Sequence, residues 1–398
     1  MLLFWLAWSQ RCFAATCHIN QTKANQIRPS PEFKPPSSIV SAMTSPAVVP
    51  SQMKQIMVKE KGSNYRKATE IVTVPVPEPQ AKQVLVRISY AAINASDVLL
   101  CDGFYTPGLQ PPYPAGLEAM GEIVATGEGS KLAVGQNVNF FKIGSFSEYV
   151  VLDDELVTVI PSADPANLLI AISGLTASIA LERKGNIKSG DTLLVTAAAG
   201  ATGQFAVQLG KLAGCHVIGT CSTDEKAEFL KSIGCDRPVV YTRESLDEVL
   251  KQEYPNGVDV VYESIGNEIF DTCFKNLSRY GRIIVIGVIS GYEKDGSYTI
   301  PATKLPFPFA TVDKSCDILG FFLGHYGADM SVHAERLAKL MSSGQLKAEV
   351  DNGEKSEKGP FRGIDMVYDA IDHMYAKKNT GKVVVAIGAG STKATVPV

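Results

Sequence analysis

No C-x-x-C pair occurs in this sequence, although it holds eight cysteines: Cys12, Cys17, Cys101, Cys215, Cys221, Cys235, Cys273 and Cys316. Scattered singly along 398 residues, they do not read as a disulfide framework, and a reducing compartment fits them better. Long hydrophobic runs are missing too. None reaches the ~18 residues that a bilayer span requires, and "MLLFWLAW" at the start is only eight long, so no segment reads as transmembrane. A net charge of −3 leaves no basic field to attract a nucleic acid. Acidic residues are absent before Glu32, while Arg11, Lys23, Arg28 and Lys34 give residues 1–52 a local charge of +3. Such a leader points to an organelle transit segment and a mitochondrial address. Two alternatives stand beside it: a secretory signal, for which "CFAATC" offers small residues, and a true start at Met43 or Met53.

What is present suits a globular chain with a real core, at 45% hydrophobic and 20% charged residues. The length allows two domains at roughly 100–200 residues each. Residues 20–52 are rich in Ser, Pro, Thr and Gln without apolar periodicity and read as a disordered linker. From Met53 to about Ile160 come short strands such as "QIMVKE", "QVLVRISYAAIN", "GEIVATG" and "SFSEYVVLD", punctuated by Gly, Pro and Asn. "TVPVPEPQ" is broken by proline and suits only an edge.

From about Ala166 the pattern changes. "PANLLIAISGLTASIALER" reads as helical, and strands then alternate with helices over 202–213, 223–233, 244–252 and 268–278. That alternation implies βαβ crossovers and a parallel sheet covered on both faces. "CDILGFFLG" supplies a further strand. Helices over 329–342 and 364–376 and the strand "KVVVAIG" close the chain. In 364–376, Ile364, Val367, Ile371 and Met374 form one stripe and mark packing rather than chemistry. The fold class is α/β: a β-rich domain followed by a doubly wound parallel-sheet domain.

"VTAAAGATGQFAVQLGK", residues 195–211, sits between a strand and a helix, where a dinucleotide-binding turn would lie. Ala198, Gly200 and Gly203 take its three small-residue positions. The first needs only a tight turn. The second must let backbone approach a pyrophosphate, and the third must let helix meet strand. Phe205, Leu209 and Leu212 form the helix's apolar face, and Gly214 stands at its C-cap. The free N–H groups at such a helix start suit a phosphate.

An NAD site places an acid about twenty residues on, to take the ribose hydroxyls. Here the stretch is "GTCSTDEK", with Ser222 nineteen residues past Gly203 and Lys226 in the next helix. A hydroxyl and an ammonium suit a 2′-phosphate, so the expected cofactor is NADPH, with Tyr241 flanking the same group. Ser222 and Glu225 also spell a helix capping box, the competing explanation for the same residues.

These motifs resemble the medium-chain dehydrogenase/reductase superfamily over about residues 53–388. "AAINASDVLLCDGFY", "PAGLEAMGEIVATGEG" and "VGQNV" carry the likeness in the first lobe; "SGLTASIAL", "GRIIVIGVISGY", "GFFLGHY" and "KNTGKVVV" carry it in the rest. The resemblance implies a GroES-like catalytic domain over 53–170 and 325–388, a Rossmann cofactor domain over 171–324, a leader over 1–52 and a flexible tail over 389–398. Zinc members carry a G-H-E turn where this chain has Gly116-Leu117-Glu118, and leucine cannot ligate a metal. "INASD" holds no cysteine where those members place a ligand, and the four-cysteine structural loop is missing. No metal is expected.

The branch so indicated is that of the quinone oxidoreductases and prostaglandin reductases. It implies NADPH-dependent hydride addition to a C=C bond conjugated to a carbonyl, on a small lipid enone, with quinone reduction or non-catalytic NADPH binding as alternatives. By resemblance, Gly200, Ala201, Thr202, Gly203 and Gln204 would line the pyrophosphate. Ser222, Lys226 and Tyr241 would hold the 2′-phosphate side, and Ser264 would approach the ribose. Ile286, Gly287, Val288, Ile289, Ser290, Gly291 and Tyr292, the strand Phe321, Phe322 and Leu323, and Asn379 would frame the nicotinamide. Tyr292 is the expected catalytic donor to the enolate, and Asn94 and Tyr105 are expected on the substrate side. Relatives are often homodimers, which sets the same expectation here. A peroxisomal S-K-L ending, found in some relatives, is replaced by "TVPV".

Overall fold

The computed structural model describes residues 49–103, 108–291, 303–305 and 308–388. Two sheet systems organise them. In the first, β1 (Gln52–Val58) pairs antiparallel with β2 (Thr69–Pro75) and with β4 (Tyr113–Pro114). A larger sheet is built on β3 (Gln83–Ala92), whose partners are β5 (Glu118–Thr126) and β7 (Tyr149–Asp153). It continues through β6 (Asn137–Phe141) to β8 (Val157–Val159). Strand β2 lies at an edge, which suits its closing Pro75, because Pro has no N–H to give a second neighbour. Helix α1 (Ala95–Cys101) leaves the end of β3.

The second system is a six-stranded sheet in which every pairing is parallel. Its strands are β9 (Thr192–Val195), β10 (His216–Cys221), β11 (Arg237–Val240), β12 (Val258–Glu263), β13 (Leu277–Val285) and β14 (Asp317–Gly320). Their spatial order is β11-β10-β9-β12-β13-β14. The order reverses between β9 and β12, so a ligand crevice opens beyond the C-terminal ends of those two strands. Helices α2 (Ser173–Ala180), α3 (Gly203–Leu212), α4 (Asp224–Ser232), α5 (Leu246–Glu253), α6 (Asn267–Lys275) and α7 (Phe309–Lys314) accompany the strands. Apolar clusters cover both faces.

The chain then returns through α8 (Gly327–Ser342), β15 (Val350–Asp351), α9 (Val367–Tyr375) and β16 (Lys382–Ala386). Strand β16 pairs antiparallel with β3 and so closes the first-lobe sheet with the last described strand. Ala92, Met120 and Val384 of that sheet belong to the same buried cluster as Phe205 of the second system and Leu337 of α8.

Several element boundaries differ from the sequence reading. The stretch from Pro165 to Gly185 is long and apolar enough in composition for a membrane span, yet 61% of its apolar window is buried in the fold. It is also broken into a 3-10 segment (Pro165–Ile170), α2 and one π turn (Leu181–Gly185). Gly174 explains the packing, because an added Cβ would meet Leu337 Cδ1 of α8 at 3.0 Å. The helix expected over 268–278 ends at Lys275, since Leu277 is buried and pairs with Val258 at the start of β13. The strand expected at Phe321–Leu323 stops at Gly320 and passes into a 3-10 turn over Leu323–His325. Leu212 is 45% exposed, so the apolar face of α3 ends at Leu209. Gly214 follows with φ +83°, as a helix-ending glycine should.

Candidate functional site

The turn after β9 is fastened to its neighbours through the main chain. Thr196 N donates to Tyr262 O of β12 at 3.0 Å, and Ala198 N donates to Thr220 O of β10 at 3.0 Å. Ala198 stands where the usual first glycine would be, and the room for its methyl comes from the opposite strand. There, Gly219 is so close that a Cβ on it would lie 2.9 Å from Ala198 Cβ. The glycine is displaced rather than lost. Gly203 is required at the helix start, since an added Cβ would sit 2.5 Å from Ala197 O and 2.7 Å from Ala198 O. At Gly200 the space is open apart from Ala197 O at 3.1 Å. An open backbone before a helix N-terminus can receive a phosphate.

Ala201 and Thr202 are half-buried on this turn, whereas Gln204 faces inward. Its Oε1 accepts from Glu349 N at 2.7 Å and its Nε2 donates to Glu349 O at 3.1 Å. Gln204 thus staples the turn to the returning chain, a role that sequence spacing could not reveal across 145 residues.

At the end of β10, Thr223 rather than Ser222 caps α4, with Oγ1 accepting from Lys226 N. This corrects the capping-box reading of Ser222 and Glu225. The Ser222 main-chain carbonyl accepts from Thr242 Oγ1 at 2.8 Å. Lys226 is 9% exposed, burial pushes its ammonium pKa down, and its Nζ donates to Lys377 O at 2.8 Å. Tyr241 is 37% exposed at the end of β11. Asp224 does not oppose an anion here, because its carboxylate pairs with Arg243 at 2.7 Å on the surface. Arg243 was not singled out from sequence; its place directly after Tyr241–Thr242 is the only signal.

Across the crevice, Ser264 N donates to Thr196 Oγ1 at 2.8 Å, while Ser264 Oγ is buried without a partner. The turn that carries it is held by Glu263, whose carboxylate accepts from Ile265 N at 2.7 Å and Gly266 N at 3.0 Å. Burial raises the pKa of this acid. The next loop lies against the same turn: Ile286 N donates to Glu263 O, Ile289 N to Ser264 O and Ser290 N to Ile265 O. Gly287 faces open space, with only Ser264 O at 3.9 Å from an added Cβ. Val288 and Gly291 close the loop through Gly291 N to Val288 O at 2.8 Å. Phe321 is buried and stacks on Tyr326 at 4.7 Å, whereas Phe322 is exposed and Leu323 half-buried. Asn379 Nδ2 donates to Gly381 O at 2.8 Å. Gly381 N in turn donates to Ala199 O at 2.8 Å, which brings the "KNTGK" segment onto the dinucleotide turn. Tyr292 and Tyr105 lie outside the described residues.

Asn94, expected on the substrate side, is buried at the start of α1. Its Nδ2 donates to Glu118 Oε2 at 3.3 Å and to Ala92 O at 3.4 Å. Its Oδ1 accepts from Lys382 Nζ. Both amide hydrogens are therefore engaged within the protein, leaving none for an enolate oxygen. The sequence did not reveal this knot, because Lys382 lies 288 residues from Asn94.

These features fit a phosphorylated dinucleotide: an open glycine at a helix start, a buried lysine with a carbonyl partner, and an orphaned serine hydroxyl in the crevice. They do not fit a catalytic zinc. Leu117 has no ligand atom, and Glu118 Oε2 lies 2.9 Å from the Lys382 ammonium.

Residues 80–162 match the alcohol dehydrogenase GroES-like domain, and residues 201–342 match the zinc-binding dehydrogenase family. Mouse prostaglandin reductase-3 is 46% identical over 345 residues, covering 86% of this chain and 91% of the mouse protein. A probable quinone oxidoreductase of Leishmania amazonensis is 40% identical over 345 residues, covering 85% of this chain and 99% of its own. Among solved structures, Escherichia coli quinone oxidoreductase complexed with NADPH has the same fold. It superposes with a TM-score of 0.70 at 22% identity, over 84% of this chain and 99% of that one. The chain belongs to the medium-chain dehydrogenase/reductase superfamily, in the branch of the quinone oxidoreductases and prostaglandin reductases.

Proposed function

We propose that this protein uses NADPH to reduce the C=C bond of α,β-unsaturated ketones, with 15-oxo-prostaglandins as the model substrate class. The observation that carries the reading is the pairing of a phosphate-accepting corner with a substrate-side lobe whose donor set cannot hold a zinc. Gly200 to Thr202 and the start of α3 would receive the pyrophosphate, Lys226 and Ser222 the 2′-phosphate, and Ser264 Oγ a ribose hydroxyl. Bound there, the cofactor supplies a hydride. As the β-carbon of an enone accepts it, the alkene electrons move to the carbonyl oxygen as an enolate, and the α-carbon later takes a proton. The protein's part is to orient the partners and donate hydrogen bonds to that oxygen. Asn94 has no free N–H for this; the resemblance to relatives gives the role to Tyr292, whose phenol donates without carrying charge.

The test is to follow NADPH absorbance with residues 53–398 and a panel of a 15-oxo-prostaglandin, a short alkenal, a quinone and a simple ketone. Oxidation by the enones and not the ketone is expected. Oxidation by the quinone alone would replace this reading by quinone reduction, which the Leishmania relative's name favours. No turnover, with NADPH still bound, would leave a cofactor-binding protein. For Tyr292→Phe, turnover should fall by roughly 10²-fold with NADPH affinity retained, and unchanged turnover would remove Tyr292 from the mechanism.

The homodimer expected from relatives also stays a proposal. Strand β14 ends the parallel sheet without an outer partner among the described residues. Phe309, Val312 and Ile318 present exposed apolar surface beside it. A second copy pairing at this edge would cover both. Light scattering of the purified protein decides it, and a monomer at all concentrations would end the idea.

A further inference from the structure

The buried knot in the first lobe has a cost that stability alone does not explain. Lys382 is 2% exposed and Glu118 is fully buried, as are Asp97 and Asn94 nearly so. Lys382 Nζ lies 2.9 Å from Glu118 Oε2 and also donates to Asn94 Oδ1. Asn94 N donates to Asp97 Oδ2 at 2.7 Å. Yet Asp97 Oδ1 and Glu118 Oε1 are buried without a partner. Apolar residues of similar volume would fill the site at less expense, since a buried ion pair adds little net stability. What the charges add is direction. An ammonium on one side and a carboxylate on the other admit one orientation of the Asn94 amide and one position of the strand that bears the lysine.

That strand leads straight to the cofactor turn. Gly381, next to Lys382, donates its N–H to Ala199 O and forms a parallel bridge with Gly200. It has φ +77°, and an added Cβ would lie 2.2 Å from Glu349 O, so the close approach of the two backbones requires glycine here. Lys382 N donates to the same Glu349 O at 3.1 Å, and Glu349 is the residue stapled by Gln204 of α3. Further back, Thr380 N donates to Asp351 Oδ2, which also meets His373 Nε2 at 3.0 Å. Lys377 O receives the Lys226 ammonium. Six residues, 377–382, thus touch the proposed 2′-phosphate lysine at one end, the pyrophosphate turn in the middle and the first-lobe knot at the other end.

We infer that Lys382 is a positioning residue. Anchored on Glu118 and Asn94, it fixes residues 377–382 as a strap that holds the dinucleotide turn in register with the substrate-side lobe, and hydride transfer depends on that register. The inference rests on the reductase reading above for its kinetic consequence, but not for the strap itself.

Lys382→Met alone would leave Glu118 buried and uncompensated, so the informative variant is Glu118→Gln/Lys382→Met, with Lys382→Arg as the conservative control. On the enone that the wild type reduces best, the paired variant should lose roughly 10- to 100-fold in kcat. Its NADPH affinity and melting temperature should stay close to wild type, and the isotope effect with 4-deuterated NADPH should grow as the hydride step becomes limiting. Lys382→Arg should recover most of the rate. A folded, cofactor-binding paired variant with wild-type kcat overturns the proposal. So does a loss of rate matched by an equal loss of NADPH affinity, which would mark a merely structural role. Hydrogen exchange gives a readout independent of turnover. In the wild type, NADPH should protect residues 377–382 and 93–97 together with 199–204, and in the paired variant protection should not reach 93–97. Protection limited to 199–204 in the wild type overturns the strap even where the enzyme is active. Protection that spreads as expected, with no substrate consumed, upholds the strap and rejects only the reductase reading.

Discussion

The two lobes present polar groups in opposite ways. In the parallel-sheet lobe the site is made of main chain: Gly200 and Gly203, the start of α3 and the turn at Ser264, with the buried Lys226 ammonium nearby. In the first lobe the polar centre is made of side chains, Asn94, Asp97, Glu118 and Lys382, satisfied chiefly by one another. The first arrangement leaves its donors open to a ligand. The second consumes them internally. A main-chain site is suited to receive a large anion that arrives and leaves, whereas a closed knot is suited to hold geometry constant while it does so.

The largest expected effect tests the main-chain half of that contrast. In Gly203→Ala the new methyl would collide with two backbone oxygens at 2.5 and 2.7 Å, neither of which can turn aside. Strain from such overpacking costs about 1–3 kcal/mol or more, so a lower melting temperature and loss of NADPH binding are expected. In Gly200→Ala the single neighbour at 3.1 Å asks for a small adjustment. Melting should change little while NADPH still weakens, because the methyl occupies the open approach. If thermal melts and cofactor titrations show the two variants to be alike, the distinction between packing glycine and approach glycine is wrong.

Next in size is the cation. A charge-assisted hydrogen bond from Lys226 to a 2′-phosphate is worth ~1.5–3 kcal/mol, so Lys226→Met should weaken NADPH by roughly 10- to 150-fold. NADH should change little. Lys226 gives one of its three N–H donors to Lys377 O, which leaves two for the phosphate. Equal losses for both cofactors would mean that Lys226 supports the strap and does not read the phosphate.

The same contrast explains what could be read from the sequence. Glycine spacing and the β-then-βα alternation are local patterns, and they located the parallel sheet and its turn. Gly219 shows the limit of a local motif, since it supplies from a neighbouring strand the space that the fingerprint seeks at residue 198. The knot was out of reach for a stronger reason. Glu118 and Lys382 carry no periodicity, and they meet only because β16 returns to pair with β3 after the entire cofactor lobe has been threaded. Asn94 was noticed from its motif, but its two committed amide hydrogens could be counted only in three dimensions. Element ends were the other loss: Leu277 looks helical by pattern, yet pairing with Val258 takes it into β13.

The smallest effect concerns the charge within the knot. Burial pushes the Asp97 carboxyl up to about 7, against the pull of its hydrogen bond from Asn94 N and of the Lys382 charge. With its pKa raised above the unfolded value of 3.8, the folded state binds more protons than the unfolded chain between those two values. Stability from this group is therefore greatest at low pH, declines as pH rises toward 7, and is flat beyond it. Asp97→Asn removes the charge and keeps an oxygen to accept from Asn94 N. It should melt above wild type at pH 8 by at least about 2 °C, for roughly 1 kcal/mol in a chain of this size, and the difference should shrink as pH falls until it is lost near about pH 4. A gap of the same size at both pH values would mean that Asp97 is ionised throughout. The Lys382 ammonium would then be shared between both carboxylates instead of serving Glu118, and the knot would carry one more negative charge than its hydrogen bonds imply.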